Sequence, residues 1–258
     1  MKLADYHVHS NHSCDGKDTI LEMCQRAAEL GIAEIGFSEH MDFEPEDPGF
    51  GFFDYEGYAA EIGDIQEFFK KKLIVRKGIE IDYQQAFEDD IREWLKDKEF
   101  DFIIGSVHYV NHELIDHELL KDRDLERIYR TYFREVALSI ESRLFDVIGH
   151  LDVVRKFIDV GIAEFRRFDY VQSIGIALDM IVEKRAYLEI NSKPLLLKET
   201  SIRMLPSEEA FRDFIGKGGR LISIGSDAHS IEEIGGGIME VMSFLKTFKE
   251  NKLQLLFE

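Results

Sequence analysis

DYHVHSNHSCDG, residues 5–16, sets three histidines and two aspartates within twelve positions, directly behind the short apolar lead KLADY (2–6). Imidazoles and carboxylates are poor packing material, so the segment reads as a functional loop at the end of a first strand. In a doubly wound parallel sheet that place carries a glycine-rich phosphate turn, GxGxxG, and HVHSNHSCDG (7–16) lacks the spacing. The other glycine cluster, GGG at 235–237, has no Lys-Ser/Thr after it and is read as packing or loop, not as a P-loop.

Outward from this loop, short β-rich runs alternate with amphipathic segments. The strands are KLADY (2–6), AEIGFS (33–38), LIVRKGIEI (73–81), DFIIGSV (101–107), LFDVIGH (144–150), AYLEIN (186–191) and RLISIGS (220–226). Helical patterns follow near 18–30, 54–72, 84–97, 122–142, 166–184, 206–217 and 230–249. Seven strand–helix units predict a parallel sheet covered by helices, and near-continuous Val, Ile, Leu and Phe mark strands buried on both faces. In about 250 residues this fits a closed α/β barrel better than an open sheet.

No linker divides the 258 residues (30.0 kDa), so a single domain over 1–258 is expected. The 45% hydrophobic and 32% charged residues describe a globular protein, and no apolar run nears the ~20 residues of a membrane span. MKLADYHVHS lacks the apolar region of a secretory signal, which makes the cytoplasm the expected location. Cys14 and Cys24 are too few for a disulfide framework; Cys24 is read as core and Cys14 as a bystander thiol beside the metal loop. A net charge of −19 argues against nucleic acid or an anionic membrane as partner, though metal ions could reverse the field locally for a small anionic substrate.

His7 and His9 follow strand one, and His40, His108, His150 and His229 fall at the ends of strands two, four, five and seven, so six of nine histidines share one end. Asp15, Glu80 and Asp227 join them there. The C-terminal strand ends of a parallel barrel meet on one face, where its active site lies. A lone histidine at a strand end is more often a hydrogen-bonded loop residue, but six with acids beside them would cost about 1–3 kcal/mol for each group left unpaired. Divalent cations remove that cost. His7 and His9, at i and i+2, project from one face of a strand towards one ion. Glu80, alone among apolar neighbours in KGIEID, can bridge two ions. Mixed imidazole and carboxylate ligands suit Zn, Mn or Fe rather than Ca or Mg.

HVHSNHSCDG, SEH (38–40), GIEID (78–82), GSVH (105–108), GHLD (149–152) and SDAH (226–229), in this order, resemble the polymerase-and-histidinol-phosphatase (PHP) superfamily. The size, with SEHMDF, GIEIDY, IIGSVHYV and GHLDVVRKF, is similar to its stand-alone histidinol-phosphate phosphatase branch. The resemblance implies a distorted (β/α)7 barrel with two to three metals. By position, His7, His9, Glu80 and Asp227 would hold the first, Glu80, His108 and His150 the second, and Asp15, His40 and His229 the third; His12 is the alternative to Asp15.

The implied reaction is hydrolysis of a phosphate monoester, L-histidinol phosphate, to L-histidinol and phosphate in histidine biosynthesis. Glu80, Asp227 and His229 form the catalytic set, and two metals about 3.5–4 Å apart would activate a shared water for in-line attack. No GxSxG elbow supports a serine hydrolase, and Ser106 and Ser226 read as strand-end structure. Arg155 is the first candidate for phosphate. EINSKPLLLKETSIR (189–203) departs from the family, where an asparagine-containing turn carries a nearby arginine; here Asn191 is accompanied by Lys193, Lys198 and Arg203. Asp42 is expected to orient a ligand histidine, and His112 and His117 to face solvent. The competing reading is a PHP phosphoesterase acting on nucleotides or short oligonucleotides.

Overall fold

A computed structural model describes residues 2–120, 124–157, 168–196 and 202–258. The strands are β1 (Ala4–Val8), β2 (Glu34–Met41), β3 (Ile74–Asp82), β4 (Phe102–Ser106), β5 (Tyr109–Val110), β6 (Glu113–Leu114), β7 (Val147–Ile148), β8 (Tyr187–Asn191), β9 (Leu221–Gly225) and β10 (Gln254–Leu255). The main sheet runs β1-β2-β3-β4-β7-β8-β9-β10, every pair parallel, while β5 and β6 form a separate antiparallel hairpin. All seven expected strands are present, in chain order.

The sheet curls into the distorted barrel that the resemblance implied, and its closure is uneven. At the C-terminal strand ends β1 meets the segment after β9 through His9 N–H to Ala228 O (2.8 Å) and Asp227 N–H to His7 O (2.8 Å). At the opposite end β10 lies along the start of β9 (Gln254↔Leu221, Leu255↔Ile222). There the Phe257 ring meets Tyr6 and Phe102 edge-on at 5.5 and 6.0 Å, and the Arg76 guanidinium lies 4.1 Å from its centroid. Seven strands leave an opening where an eighth would stand, and the C-terminal segment fills its lower part. β10 escaped the sequence reading because two residues carry no periodicity.

The helices are α1 (Ile20–Glu29), α2 (Tyr55–Phe69), α3 (Glu88–Leu95), α4 (His117–Leu120), α5 (Leu125–Ser142), α6 (Phe168–Lys184), α7 (Glu208–Gly216) and α8 (Ile238–Leu245). Among the described residues none is long and apolar enough to cross a membrane. α1 starts on a capping box, with Thr19 accepting from Glu22 N–H and Glu22 reaching back to Thr19 N–H, and buries Ile20, Met23, Cys24 and Ala27. The helix expected over 230–249 is confined to 238–245 and is followed by a 3-10 turn. Gly235 (φ 69°) and Gly237 (φ 72°) take left-handed backbone that stops it from starting earlier. The β5–β6 hairpin was also unforeseen; it turns through Asn111 (φ 52°) and His112 (φ 64°), a pair that does not announce a turn as Asn-Gly does.

Candidate metal centre

Parallel strands aim their ends at one rim, and there Glu80 of β3 is the hub. Its Oε2 lies 3.2 Å from His40 Nδ1, 3.3 Å from His7 Nε2 and 3.5 Å from His9 Nε2. Its Oε1 lies 3.1 Å from His150 Nε2 and 3.9 Å from His108 Nε2, and accepts from Ser106 Oγ at 2.5 Å. The β2–β3 register, His40 opposite Glu80, sets part of this. Asp227 Oδ1 stands 3.8 Å from His9 Nε2, and Asp15 Oδ2 stands 3.1 Å from His229 Nε2 and 3.8 Å from His40 Nε2. Among the described residues three sets bring candidate ligand atoms within one ion's reach: His7, His9 and Asp227; His7, Glu80 and His150; and His9, His40 and His229.

The charge balance is unusual. Burial opposes the Glu80 carboxylate, yet His7, His150 and His40 hold its pKa well below the ordinary value. Burial likewise opposes charge on His7, but Glu189 and Glu80 lift its pKa well above normal. Burial, then His40, His229 and His7, depress His9, and burial takes His108 down to about 3. Burial works against charge on His40 too, but Glu80 and the Asp42 and Asp15 carboxylates raise it to about 9. Asp227 falls to about 2, the histidines His7 and His229 outweighing burial.

His7 Nε2, His9 Nε2 and Glu80 Oε2 are buried without a hydrogen bond. Each such orphan costs about 1–3 kcal/mol, and two imidazole nitrogens each within 3.5 Å of the Glu80 oxygen fit cation ligands rather than core polar groups. The donor set of imidazoles and carboxylates suits a transition metal.

The rim is held by carboxylates one layer back. Glu189, on β8 and 1% exposed, accepts from His7 Nδ1 at 2.5 Å and from His150 N–H at 2.5 Å. The His7 Nδ1 proton is thereby committed, leaving Nε2 as the donor atom towards the cluster. Glu39 accepts from Ser10 Oγ (2.7 Å), Ser10 N–H (3.0 Å) and Ser13 Oγ (2.6 Å), which fixes the first loop. Asp5 accepts from Ser226 N–H (2.9 Å), Ser226 Oγ (2.6 Å) and Gly235 N–H (3.1 Å), and Asp82 accepts from His108 N–H (2.6 Å). Sequence reasoning passed over all four. The signal was available: each is an acid in an apolar strand run, the feature that singled out Glu80.

Several expectations change. His12 turns away, with Nε2 2.9 Å from Glu61 Oε2 and its ring against Tyr58, so of the two alternatives Asp15 is the one at the cluster. Asp42 makes no hydrogen bond to His40; Glu189 is the carboxylate that grips a cluster histidine. Cys14 is exposed and its thiol is pushed up to about 11 by partial burial and by Asp15, Asp42 and Asp47, which disfavours a thiolate ligand, while Cys24 is buried as expected. His112 and His117 are exposed, as expected, with His112 Nδ1 2.6 Å from Glu44 Oε2 and the His117 ring 5.5 Å from that of Phe157.

Lys193 sits at the cluster's edge, donating to Asp227 O (2.7 Å) and Glu233 Oε2 (2.8 Å), with His229 Nδ1 at 3.5 Å. Arg155 pairs with Asp152 at 3.0 Å and lines, with Arg203, a cavity of about 190 Å³; no described contact joins either arginine to the histidine cluster. Lys198 lies outside the described residues. Asn191 donates weakly to Asp227 Oδ2 (3.3 Å). Ser106 and Ser226 are spent on Glu80 and Asp5, a structural role.

The PHP domain family model matches residues 5–193, a span that contains seven of the nine candidate ligands. The chain belongs to the PHP family. This PHP protein is 28% identical, over 98% of both chains, to the probable histidinol-phosphatase of Deinococcus radiodurans. It is 29% identical to the histidinol-phosphatase of Lactococcus lactis subsp. lactis, covering 89% of this chain and 85% of the other. Among solved structures, the histidinol phosphate phosphatase of Lactococcus lactis, crystallised with zinc, L-histidinol and phosphate, superimposes with a TM-score of 0.84 at 24% identity, covering 98% of this chain and 95% of that one.

Proposed function

We propose that this single-domain PHP protein is a metal-dependent phosphomonoesterase that converts L-histidinol phosphate and water to L-histidinol and phosphate. The observation that carries the reading is the set of buried, unbonded His7, His9 and Glu80 atoms meeting at one rim, in a PHP chain whose full-length relatives bear the name histidinol-phosphatase. Zinc, the metal in the Lactococcus structure, is the first choice of ion; manganese and iron fit the same donors.

The ligands are assigned as His7, His9, Glu80 and Asp227 for one ion, Glu80, His108 and His150 for a second, and Asp15, His40 and His229 for a third. Ions held there would supply a water-derived nucleophile at neutral pH and offset phosphate charge. The chain's own part is preorganisation. Glu80 keeps both oxygens within reach of two histidine groups, and Ser106 fixes its plane. Glu189 holds His7 in the tautomer that presents Nε2. Lys193 clamps the Asp227–His229 turn to Glu233 and brings positive charge to the edge. Arg155 and Arg203 are assigned to the remaining phosphate charge.

The test is steady-state phosphate release by metal-loaded protein from L-histidinol phosphate and from competing monoesters, nucleoside monophosphates included. The expected result is the highest kcat/KM for L-histidinol phosphate. A strong preference for another ester would overturn the assignment.

A further inference from the structure

Of the seven strands legible in the sequence, β8 is the one whose end carries no candidate ligand. Three alternate residues there, Glu189, Asn191 and Lys193, nevertheless reach the ligands of its neighbours, since alternate residues of an extended chain share a face. Glu189 supports His7 and His150. Asn191 is fully buried, and its backbone is pinned to Leu205 through N–H to O (2.8 Å) and the return bond (3.0 Å). Its Oδ1 accepts from Lys193 N–H (3.0 Å), which turns Nδ2 towards Asp227 Oδ2 (3.3 Å) and Glu189 Oε1 (3.4 Å). The opposite amide orientation would set an oxygen against two carboxylates. Lys193 Nζ donates to Asp227 O (2.7 Å) and to Glu233 Oε2 (2.8 Å), and the same Glu233 oxygen accepts from His229 N–H (2.9 Å).

These bonds converge on Asp227, whose backbone is left-handed (φ 54°), an uncommon state for a residue with a Cβ and one that persists where its surroundings over-determine it. Asp227 N–H donates to His7 O (2.8 Å), and Asp227 O takes a second donor in His229 Nδ1 (2.9 Å). A carbonyl can only accept, so His229 carries a proton on Nδ1, and Nε2 is the atom turned to the cluster, 3.1 Å from Asp15 Oδ2. Asn191 occupies Oδ2 of Asp227 and leaves Oδ1 facing His9 Nε2 at 3.8 Å. One turn thus serves two ion sets, offering Asp227 to His7 and His9, and His229 to His9 and His40. The set of His7, Glu80 and His150 takes no ligand from it.

We propose that Asn191 and Lys193, with Glu233 as the lysine's partner, are positioning residues that lock the left-handed turn at Asp227 and thereby set the affinity for metal in both ion sets the turn serves. The inference rests on the metal-dependent reading and deepens it. Lys193 works on the backbone of the turn, and neither it nor Asn191 need touch the substrate. Without the ammonium group Asp227 O keeps one donor, and the backbone can relax out of the left-handed region, swinging Asp227 and His229 together. Loss of such outer partners costs about 10–100-fold in metal affinity.

In the test, zinc-loaded wild type, Lys193→Met, Lys193→Arg and Glu233→Gln are titrated with chelators of graded affinity, and zinc per chain is counted in the absence of substrate. Lys193→Met keeps the side chain's length and removes its donors. The expected result is release of the ions held by the turn at about 10- to 100-fold weaker chelation, while one zinc per chain, at His7, Glu80 and His150, stays as tightly held as in wild type. Lys193→Arg can donate to both the carbonyl and the carboxylate and should restore retention, with Glu233→Gln falling between. Kinetics with 4-nitrophenyl phosphate separate positioning from substrate contact: excess zinc should return Lys193→Met to within about twofold of wild-type kcat with KM unchanged. Wild-type zinc retention in Lys193→Met, equal loss of every ion, or a rise in KM that excess zinc does not reverse would overturn the proposal. If another ester is preferred over L-histidinol phosphate while the zinc results hold, the turn's role stands and the histidinol assignment falls.

Discussion

Glu189→Gln isolates the support of the cluster from the cluster itself. The substitution conserves volume in a side chain 1% exposed, so packing is kept and chemistry changes. Glu189 receives two short hydrogen bonds, from His7 Nδ1–H and His150 N–H, each at 2.5 Å, and a long one from Asn191 Nδ2 at 3.4 Å. Glutamine has one oxygen and must set its NH₂ against the other donor. The backbone N–H cannot rotate away, so the oxygen stays with His150 and the amide hydrogens face His7 Nδ1. His7 then takes the tautomer with its proton on Nε2, the atom that faces Glu80 Oε2 at 3.3 Å, and loses the lone pair offered to a metal. Loss of such a supporting partner costs about 10–100-fold in metal affinity. In the metal-free protein a charge-assisted hydrogen bond of about 1.5–3 kcal/mol is lost, which for a chain of this size lowers Tm by roughly 4–9 °C. Competition with a chelator of known affinity and thermal unfolding of metal-free protein read the two effects separately. Metal affinity within twofold of wild type would refute the tautomer account even if stability fell.

Glu80→Gln removes the charge shared by five imidazoles; phosphate release should fall by at least about 100-fold with circular dichroism unchanged, and near-normal turnover would contradict the hub role. Gly225→Ala places a Cβ 2.2 Å from His7 Cβ and 2.7 Å from Glu189 Oε1, so it should destabilise by about 1–3 kcal/mol and weaken metal retention, read by denaturant unfolding and metal analysis. Prolonged dialysis against a chelator should abolish activity, and adding back zinc should restore it. His40 is raised to about 9 in metal-free protein, against burial, by Glu80, Asp42 and Asp15, so below that pH a proton must leave before it can bind metal. Metal affinity should therefore rise with pH from neutrality through about 9, with proton uptake or release measured by calorimetry in buffers of different ionisation heat; affinity that falls over that range would be the wrong sign.

The buried carboxylates explain why the cluster can form before any ion arrives. Asp5, Glu39, Asp82 and Glu189 each accept from a backbone N–H of a neighbouring strand's loop, so the loops that carry His9, His108, His150 and Asp227 are stapled to the barrel. Histidines brought together by the topology would otherwise repel one another when protonated, and loops are the parts most free to move apart.

Seven strands, their order and the end on which the histidines gather were legible in the residues alone, because buried parallel strands write continuous apolar runs and a barrel brings all their C-terminal ends together. Side-chain type and place on a strand likewise singled out His7, His9, Glu80 and Asp227, since few groups but ligands repay burial there. The choice between Asp15 and His12 needed the folded chain, where Glu61 and Tyr58 of α2 draw His12 away. So did the second carboxylate layer and the β10 closure. These depend on which atoms meet across 26 to 221 positions of sequence, and periodicity is a local property that records which face a residue takes without naming its partner there.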